Sequence, residues 1–267
     1  MVQTLALVTG GAGDIGRAIV ARLLEDHDIV VIADRDLDAA ERAAAALGVA
    51  SAGGRGAAAI ALDVTDPASC AAMAGQVRGL GKLMTLVNAA GAAQAESLHA
   101  TGPDQWAADR ALNLDACFTV FKTVEDQLIA SRGSVVNIAS VNGLGVFGHP
   151  AYSAAKAGMI HLTRLIAVEY GHYGVRANSV APGTVRTQAW EARAANNPAV
   201  FREAAAHYVL GRIARPEDVA EAVAFLASSR AAAITGVCLP VDCGLTAGIP
   251  ALAATFSQSS DYRNSAD

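Results

Sequence analysis

The sequence predicts an α/β protein, a single doubly wound parallel sheet of about seven strands with helices on both faces. Three observations carry that expectation. Short β-rich runs alternate with longer, alanine-rich helical stretches along almost the whole chain. Strands that alternate with helices pair in parallel, and right-handed crossovers follow from strand twist. The 267 residues are 53% hydrophobic and only 17% charged, which excludes intrinsic disorder and supplies a large core. At about 150 residues per domain the length allows one or two units, and open α/β sheets of this size fold as one.

In chain order, the strand candidates are 4–9, 29–33, 58–62, 83–88, 134–139, 176–181 and 237–241. The helical candidates between them are 15–25, 37–47, 67–78, a long one near 103–130, 152–170 and 216–228. Low aromatic content (5%) and abundant alanine suit close helix packing. Two segments break the rhythm. The segment 188–210 is helical in composition but irregular, and such an insertion at a sheet edge is a candidate substrate lid. The expected division is one domain over 1–250 and a polar carboxyl-terminal tail over 251–267, frayed at its end.

Twenty Lys and Arg against 25 Asp and Glu give a net charge of −5, which argues against a nucleic-acid partner. No apolar run of about 18 residues escapes a charge or a glycine break, so no membrane span is expected. The terminus Met1-Val2-Gln3-Thr4 carries no positive region before its apolar stretch, unlike a secretory signal. Cys70, Cys117, Cys238 and Cys243 form no C-x-x-C pair and, with six scattered histidines, no zinc spacing. A reducing cytoplasm and no metal are the expectations.

Thr9-Gly10-Gly11-Ala12-Gly13-Asp14-Ile15-Gly16 follows the first strand and opens a helix. Glycines there let backbone N–H groups approach a pyrophosphate, and the helix terminus adds partial positive charge. Gly11-x-Gly13-x-x-Gly16 also fits the generic dinucleotide fingerprint, so the fold is expected to be Rossmann-like. Asp34, eighteen positions past Gly16, ends the second strand. A carboxylate there accepts both ribose hydroxyls of NAD and repels the 2′-phosphate of NADP. Arg35 beside it is able to contact that phosphate, but no basic residue lies in the glycine turn, so NAD is expected over NADP.

Tyr152 and Lys156 stand four apart, on one helix face. A nearby ammonium favours the phenolate, which makes such a tyrosine an acid/base at moderate pH. Taken alone, the pair reads more readily as a surface tyrosine with a snorkelling lysine. The ordered set of motifs changes that. The glycine turn, Asp63-Val64, Asn88-Ala89-Ala90-Gly91, Asn113, Ser140, Tyr152 with Lys156, and Pro182-Gly183-Thr184-Val185-Arg186-Thr187 run from Thr9 nearly to the end of the chain. In that order the sequence resembles the short-chain dehydrogenase/reductase family.

The resemblance implies roles. Tyr152 exchanges a proton with the substrate oxygen, and Ser140 hydrogen-bonds that oxygen. Lys156 lowers the Tyr152 pKa and binds the nicotinamide ribose, while Asn113 holds a water that relays protons from Lys156 to solvent. Gly10, Gly13, Asp14, Ile15, Gly16, Asp34 and Arg35 form the cofactor turn and its acidic wall. Asp63 and Val64 contact adenine; Asn88, Ala89 and Gly91 line the cleft; Pro182, Gly183, Val185 and Thr187 border the nicotinamide. The family commonly forms homotetramers or homodimers through its long helices.

Three departures stand out. Asp14 replaces a glycine of the family pattern, and is expected to cap the first helix or to turn away from the pyrophosphate. The usual N-N-A-G reads Asn88-Ala89-Ala90-Gly91. Ser140 precedes Tyr152 by twelve residues, where thirteen is common.

Ser140, Asn142 and His149 before Tyr152, and Trp190 in the lid, are the candidate substrate residues. His149 precedes Pro150, which keeps it in an extended or turn geometry; its other reading is a solvated loop histidine. Glu96 and His99 after Gly91 are ambiguous. The expected activity is NAD-dependent hydride exchange with a small polyol, sugar or hydroxy-ketone. The alternatives are an NADPH-dependent 3-oxoacyl thioester reductase and a nucleotide-sensing regulator without turnover.

Overall fold

The computed structural model describes residues 2–48, 54–94 and 97–262, without the side chains of 189, 192, 193 and 196. Seven strands form one sheet: β1 (Thr4–Thr9), β2 (Ile29–Asp34), β3 (Gly56–Ala61), β4 (Lys82–Asn88), β5 (Ser134–Ile138), β6 (Arg176–Pro182) and β7 (Cys238–Val241). Their order is β3-β2-β1-β4-β5-β6-β7, and every pairing is parallel. This is the Rossmann-like doubly wound sheet, in one domain. The strand order reverses at β1, between β2 and β4, and the crevice beyond the carboxyl ends of those strands is where such sheets bind ligands.

Successive side chains of a strand point to opposite faces, so each strand feeds two cores. Leu5 and Leu7 of β1 face one side, with Met73 and Val77 of α3 (Pro67–Leu80) and Val120 and Val124 of α5 (Ala116–Ser131). Ala6 and Val8 face the other, with Ile19 and Leu23 of α1 (Asp14–Leu23), Ala40 of α2 (Leu37–Leu47) and Val219 and Val223 of α9 (Pro216–Ala227). Starts are fixed locally. Asp36 accepts from the Ala39 N–H at the head of α2, and Asp66 from the Ala68 N–H ahead of Pro67 in α3.

The structure differs from the sequence expectation at three places. The long helix near 103–130 is three pieces: α4 (Pro103–Arg110), a π-helical turn (Ala111–Asp115) and α5. Periodicity does not reveal a one-residue bulge, yet this one carries Asn113. The lid segment forms α7 (Gln188–Asn196) and α8 (Val200–Ala205). The tail is not wholly irregular: Pro250 opens α10 (Pro250–Ser257), whose apolar Leu252 and Phe256 stay exposed, as does Ile249 ahead of it. No helix of the described residues is long and apolar enough to cross a membrane.

Candidate active site

The glycine turn is built by close backbone approach. Gly10 sits at φ +64°, and a Cβ there would lie 2.7 Å from Ala90 Cα. A Cβ on Gly16 would overlap the Gly10 carbonyl. The Thr9 hydroxyl accepts from the Ala89 and Ala90 N–H groups at 3.1 and 3.3 Å, tying the end of β1 to the segment after β4. Only glycines allow this packing, and it leaves the head of α1 open to an anionic group.

A cavity of about 500 Å³ runs from this turn past Asp34, Arg35, Asp63 and Val64. Asp34 is braced at both oxygens: Oδ2 accepts from the Ala12 N–H at 3.1 Å and Oδ1 from the Asp36 N–H at 3.2 Å. Asp63 accepts from the Thr65 hydroxyl and N–H, and those bonds hold its carboxyl below the usual carboxylate range. Asp14 is the first residue of α1 rather than its cap, because Gly13 takes that position. Its carboxylate turns to Arg17, at 2.5 Å, and to the Gln188 N–H, at 2.7 Å.

A second cavity of about 680 Å³ shares Ile15, Ala89, Gly91, Ala92 and Thr187 with the first. Its floor holds Ser140, Tyr152 and Lys156, with Pro182, Gly183 and Val185 along one side. The strand end sets Ser140, and α6 (Pro150–Tyr170) sets the other two one turn apart. Tyr152 and Ser140 share a hydrogen bond. Ser140 Oγ also donates to Asn142 Oδ1 at 3.3 Å and accepts from the Asn142 N–H at 3.2 Å. Lys156 Nζ donates to the Ile138 carbonyl at 2.7 Å and lies 5.5 Å from the centre of the Tyr152 ring. Burial lowers the Lys156 pKa to about 8. Burial raises the Tyr152 pKa against the opposing hydrogen bond from Ser140, in contrast to the lowering expected from Lys156.

Asn113 is fully buried. Its Nδ2 donates to the Ala92 and Asp109 carbonyls at 2.8 and 2.9 Å. Its Oδ1 is buried without a hydrogen-bond partner among the described residues. A Cβ on Gly91 would sit 2.8 Å from that oxygen and 3.3 Å from Lys156 Nζ, so the missing side chain of Gly91 leaves this cradle open. An orphaned acceptor beside an ammonium, with room kept by a glycine, fits a relay water and a ribose hydroxyl. The glycine cradle, the Asp34 wall and the Lys156 ammonium together fit a nicotinamide dinucleotide.

Asn88 is the exception among the expected cofactor residues. It lines neither cavity. It is turned into the sheet, where its Nδ2 donates to Asn137 Oδ1 at 2.9 Å, and Asn137 in turn donates to Thr163 on α6 at 2.9 Å. Asn88 therefore supports the cleft floor and does not line the cleft.

Asn142, His149 and Trp190 all line the second cavity. His149 is in a turn, but a left-handed one (φ 52°, ψ 69°), ahead of Pro150 at the head of α6. The preceding Gly148 carbonyl accepts from both Asn142 Nδ2, at 2.9 Å, and Ser153 Oγ, at 2.6 Å. That clamp holds the turn that aims His149. His99 is exposed and lines neither cavity, and Glu96 lies outside the described residues. Sequence reading passed over Phe147, His207, Tyr208 and Leu245, which also line the second cavity. Tyr208 is buried, and its hydroxyl accepts from the Thr184 N–H at 2.8 Å. Its place at the end of the lid segment was the available signal. Asp109, buried with one oxygen unpartnered among the described residues, gave no such signal.

Comparison with known proteins agrees with this geometry. A family model described as enoyl-(acyl carrier protein) reductase matches residues 10–246. An inactive 2-(S)-hydroxypropyl-CoM dehydrogenase of Xanthobacter autotrophicus is 41% identical over 224 residues, 82% of this chain and 95% of that protein. The meso-2,3-butanediol dehydrogenase of Serratia marcescens is 37% identical over 245 residues, 91% of this chain and 94% of the relative. The crystal structure of an oxidoreductase from Burkholderia thailandensis superposes with a TM-score of 0.89 at 42% identity, covering 97% of this chain and 99% of that one.

Proposed function

The chain belongs to the short-chain dehydrogenase/reductase family, an oxidoreductase acting on CH–OH groups, and on that premise we propose that it exchanges a hydride between NAD and a small secondary alcohol or its ketone. The observation that carries the reading is the meeting of Ser140, Tyr152 and Lys156 on the floor of the second cavity, with Asn113 Oδ1 and Lys156 Nζ both against Gly91 of the wall it shares with the first.

When bound, the nicotinamide dinucleotide supplies the hydride acceptor or donor. The chain does the rest. Asp34 would take the adenosine ribose hydroxyls, Asp63 and Val64 would border the adenine, and the glycine turn would face the pyrophosphate, since all of them line the first cavity. Pro182, Gly183, Val185 and Thr187, which line the second, would border the nicotinamide. Ser140 holds the substrate oxygen beside the Tyr152 hydroxyl. In alcohol oxidation Tyr152 takes the hydroxyl proton, and Lys156 and Asn113 pass a proton onward. In ketone reduction the same proton returns.

Among its described lining residues, the second cavity holds no lysine or arginine besides Lys156. Its polar lining beyond Ser140, Tyr152 and Lys156 is Asn142, His149, Thr184, Thr187, His207 and Tyr208, beside the apolar Phe147, Trp190 and Leu245. That lining favours a neutral polyol, sugar or hydroxy-ketone over a substrate with an anionic tail, and the butanediol relative supports it. The complete tetrad favours turnover over nucleotide sensing. Two findings favour a second reading, a 3-oxoacyl thioester reductase using NADPH: Arg35 borders the cleft beside Asp34, and the matching family model is described by an acyl-carrier-protein activity.

The proposed arrangement is one cytoplasmic catalytic domain over 1–250 with its lid near 188–210 and its tail over 251–267. Exposed Phe118 on α5 and Leu165 and Val168 on α6 support assembly into dimers or tetramers through these helices. The test of function is NADH formation across small secondary alcohols and polyols, with NADP in parallel. NAD-dependent turnover is expected. Turnover only with NADPH and 3-oxoacyl thioesters would select the second reading.

A further inference from the structure

Asp14 occupies a position where this family's pattern has glycine, and its side chain spans two functional regions. Its first contacts belong to the cofactor side. Asp14 opens α1, lines the cofactor cavity and pairs with Arg17 at 2.5 Å, yet only 20% of its side chain is exposed. Its other oxygen reaches across 174 positions of sequence to accept the Gln188 N–H at 2.7 Å. Gln188 is the first residue of α7. An N–H at a helix start has no partner within its own helix, so a remote carboxylate here satisfies it and meets the positive end of the helix dipole. The segment that begins at Gln188 carries Trp190, Ala204 and His207 to the wall of the second cavity.

We propose that Asp14 is a positioning residue that latches the substrate lid to the dinucleotide turn and thereby couples cofactor binding to closure over the substrate. The inference rests on the reading that the cleft takes a dinucleotide. The carboxylate borders the cleft in which an anionic diphosphate would lie. Like charges at short range repel, so a filled cleft disfavours any Asp14 conformer facing it and favours the conformer bonded to Arg17 and Gln188. A glycine at this position leaves the pyrophosphate unopposed but gives the lid no latch.

The test is amide hydrogen exchange of the lid, residues 188–205, in the intact wild-type protein and in Asp14→Gly, Asp14→Asn and Gln188→Pro, with and without NAD. Asp14→Asn keeps an acceptor and removes the charge. Gln188→Pro removes the donor at a position where a helix tolerates proline. Without NAD, lid exchange is expected to quicken about tenfold in Asp14→Gly and Gln188→Pro, and to stay near wild type in Asp14→Asn. Added NAD is expected to slow lid exchange in the wild type only. The substrate KM should rise about tenfold in Gln188→Pro with kcat within about twofold, since the lid shapes binding and does not touch the reacting atoms. Wild-type lid exchange in both Asp14→Gly and Gln188→Pro would overturn the latch, as would an Asp14→Asn lid as loose as that of Asp14→Gly. Should Asp14→Gly fail to fold, Gln188→Pro decides. NAD binding by the wild type is measured separately by calorimetry. Its absence would defeat the cofactor reading, while the exchange data without NAD would still judge the latch.

Discussion

Tyr152 and Lys156 sit four residues apart on one helix, but burial moves them in opposite directions. The phenol becomes harder to ionise and the ammonium easier to lose, the latter with a pKa of about 8. Alcohol oxidation needs Tyr152 as proton acceptor, so its active form is the phenolate. Because the Tyr152 pKa is raised, kcat/KM for oxidation is expected to climb with pH from 7 to 10 without a plateau, as a pH–rate profile would show. A profile flat across that range would mean that another group takes the proton. Asp34 supports a second prediction at this scale. Both its oxygens are held by backbone N–H groups, so its charge is fixed at the cleft wall. Asp34→Ala is expected to bring the kcat/KM ratio of NAD to NADP about tenfold or more towards NADP, read from parallel kinetics. An unchanged ratio would remove Asp34 from cofactor choice. These residue types were legible in the sequence because chemistry restricts them. The direction of the Tyr152 shift was not, because burial is a property of the fold.

The elements explain why the same residues were read with uneven success. Strands and long helices announce themselves by composition, and β1 and α2 begin and end where their residue patterns do. A π-helical turn leaves no such trace, since its extra residue sits within continuous helical composition. That turn places Asn113 so that Nδ2 meets the Ala92 carbonyl. Asn88 was misread for a related reason. A sheet-end asparagine in a cofactor motif looks like a lining residue, but its Nδ2 donates inside the sheet and its Oδ1 is buried without a partner among the described residues. The chain Asn88–Asn137–Thr163 joins β4, β5 and α6 through two bonds of 2.9 Å. Asn137→Ala leaves the buried Asn88 Nδ2 without its acceptor and removes one of the two hydrogen bonds of Thr163, which still donates to the Met159 carbonyl, and is expected to cost about 2 kcal/mol in urea unfolding. It should also lower turnover, because α6 carries Tyr152 and Lys156. A loss under about 1 kcal/mol would show that the bridge is not what holds α6 to the sheet.

The whole molecule places its chemistry at the crevice where strand order reverses, outside the carboxyl ends of the strands. Two cavities meet there along Gly91, Ala92 and Thr187, one walled by Asp34 and the other floored by Tyr152. The fold class and the gathering of Ser140, Tyr152 and Lys156 at one cavity were legible because each rests on an ordered set of local signals. The far wall of the second cavity was not, because Phe147, His207 and Leu245 come from three distant segments and share no motif. The central claim is that the floor of the second cavity is a catalytic centre in which Tyr152 handles the proton. The most direct measurement is Tyr152→Phe, assayed for NAD-dependent turnover on a substrate found with the wild type, together with its NAD affinity. The account predicts a fall in kcat of about 10²–10⁴-fold with NAD affinity nearly unchanged. Turnover equal to that of the wild type would contradict it.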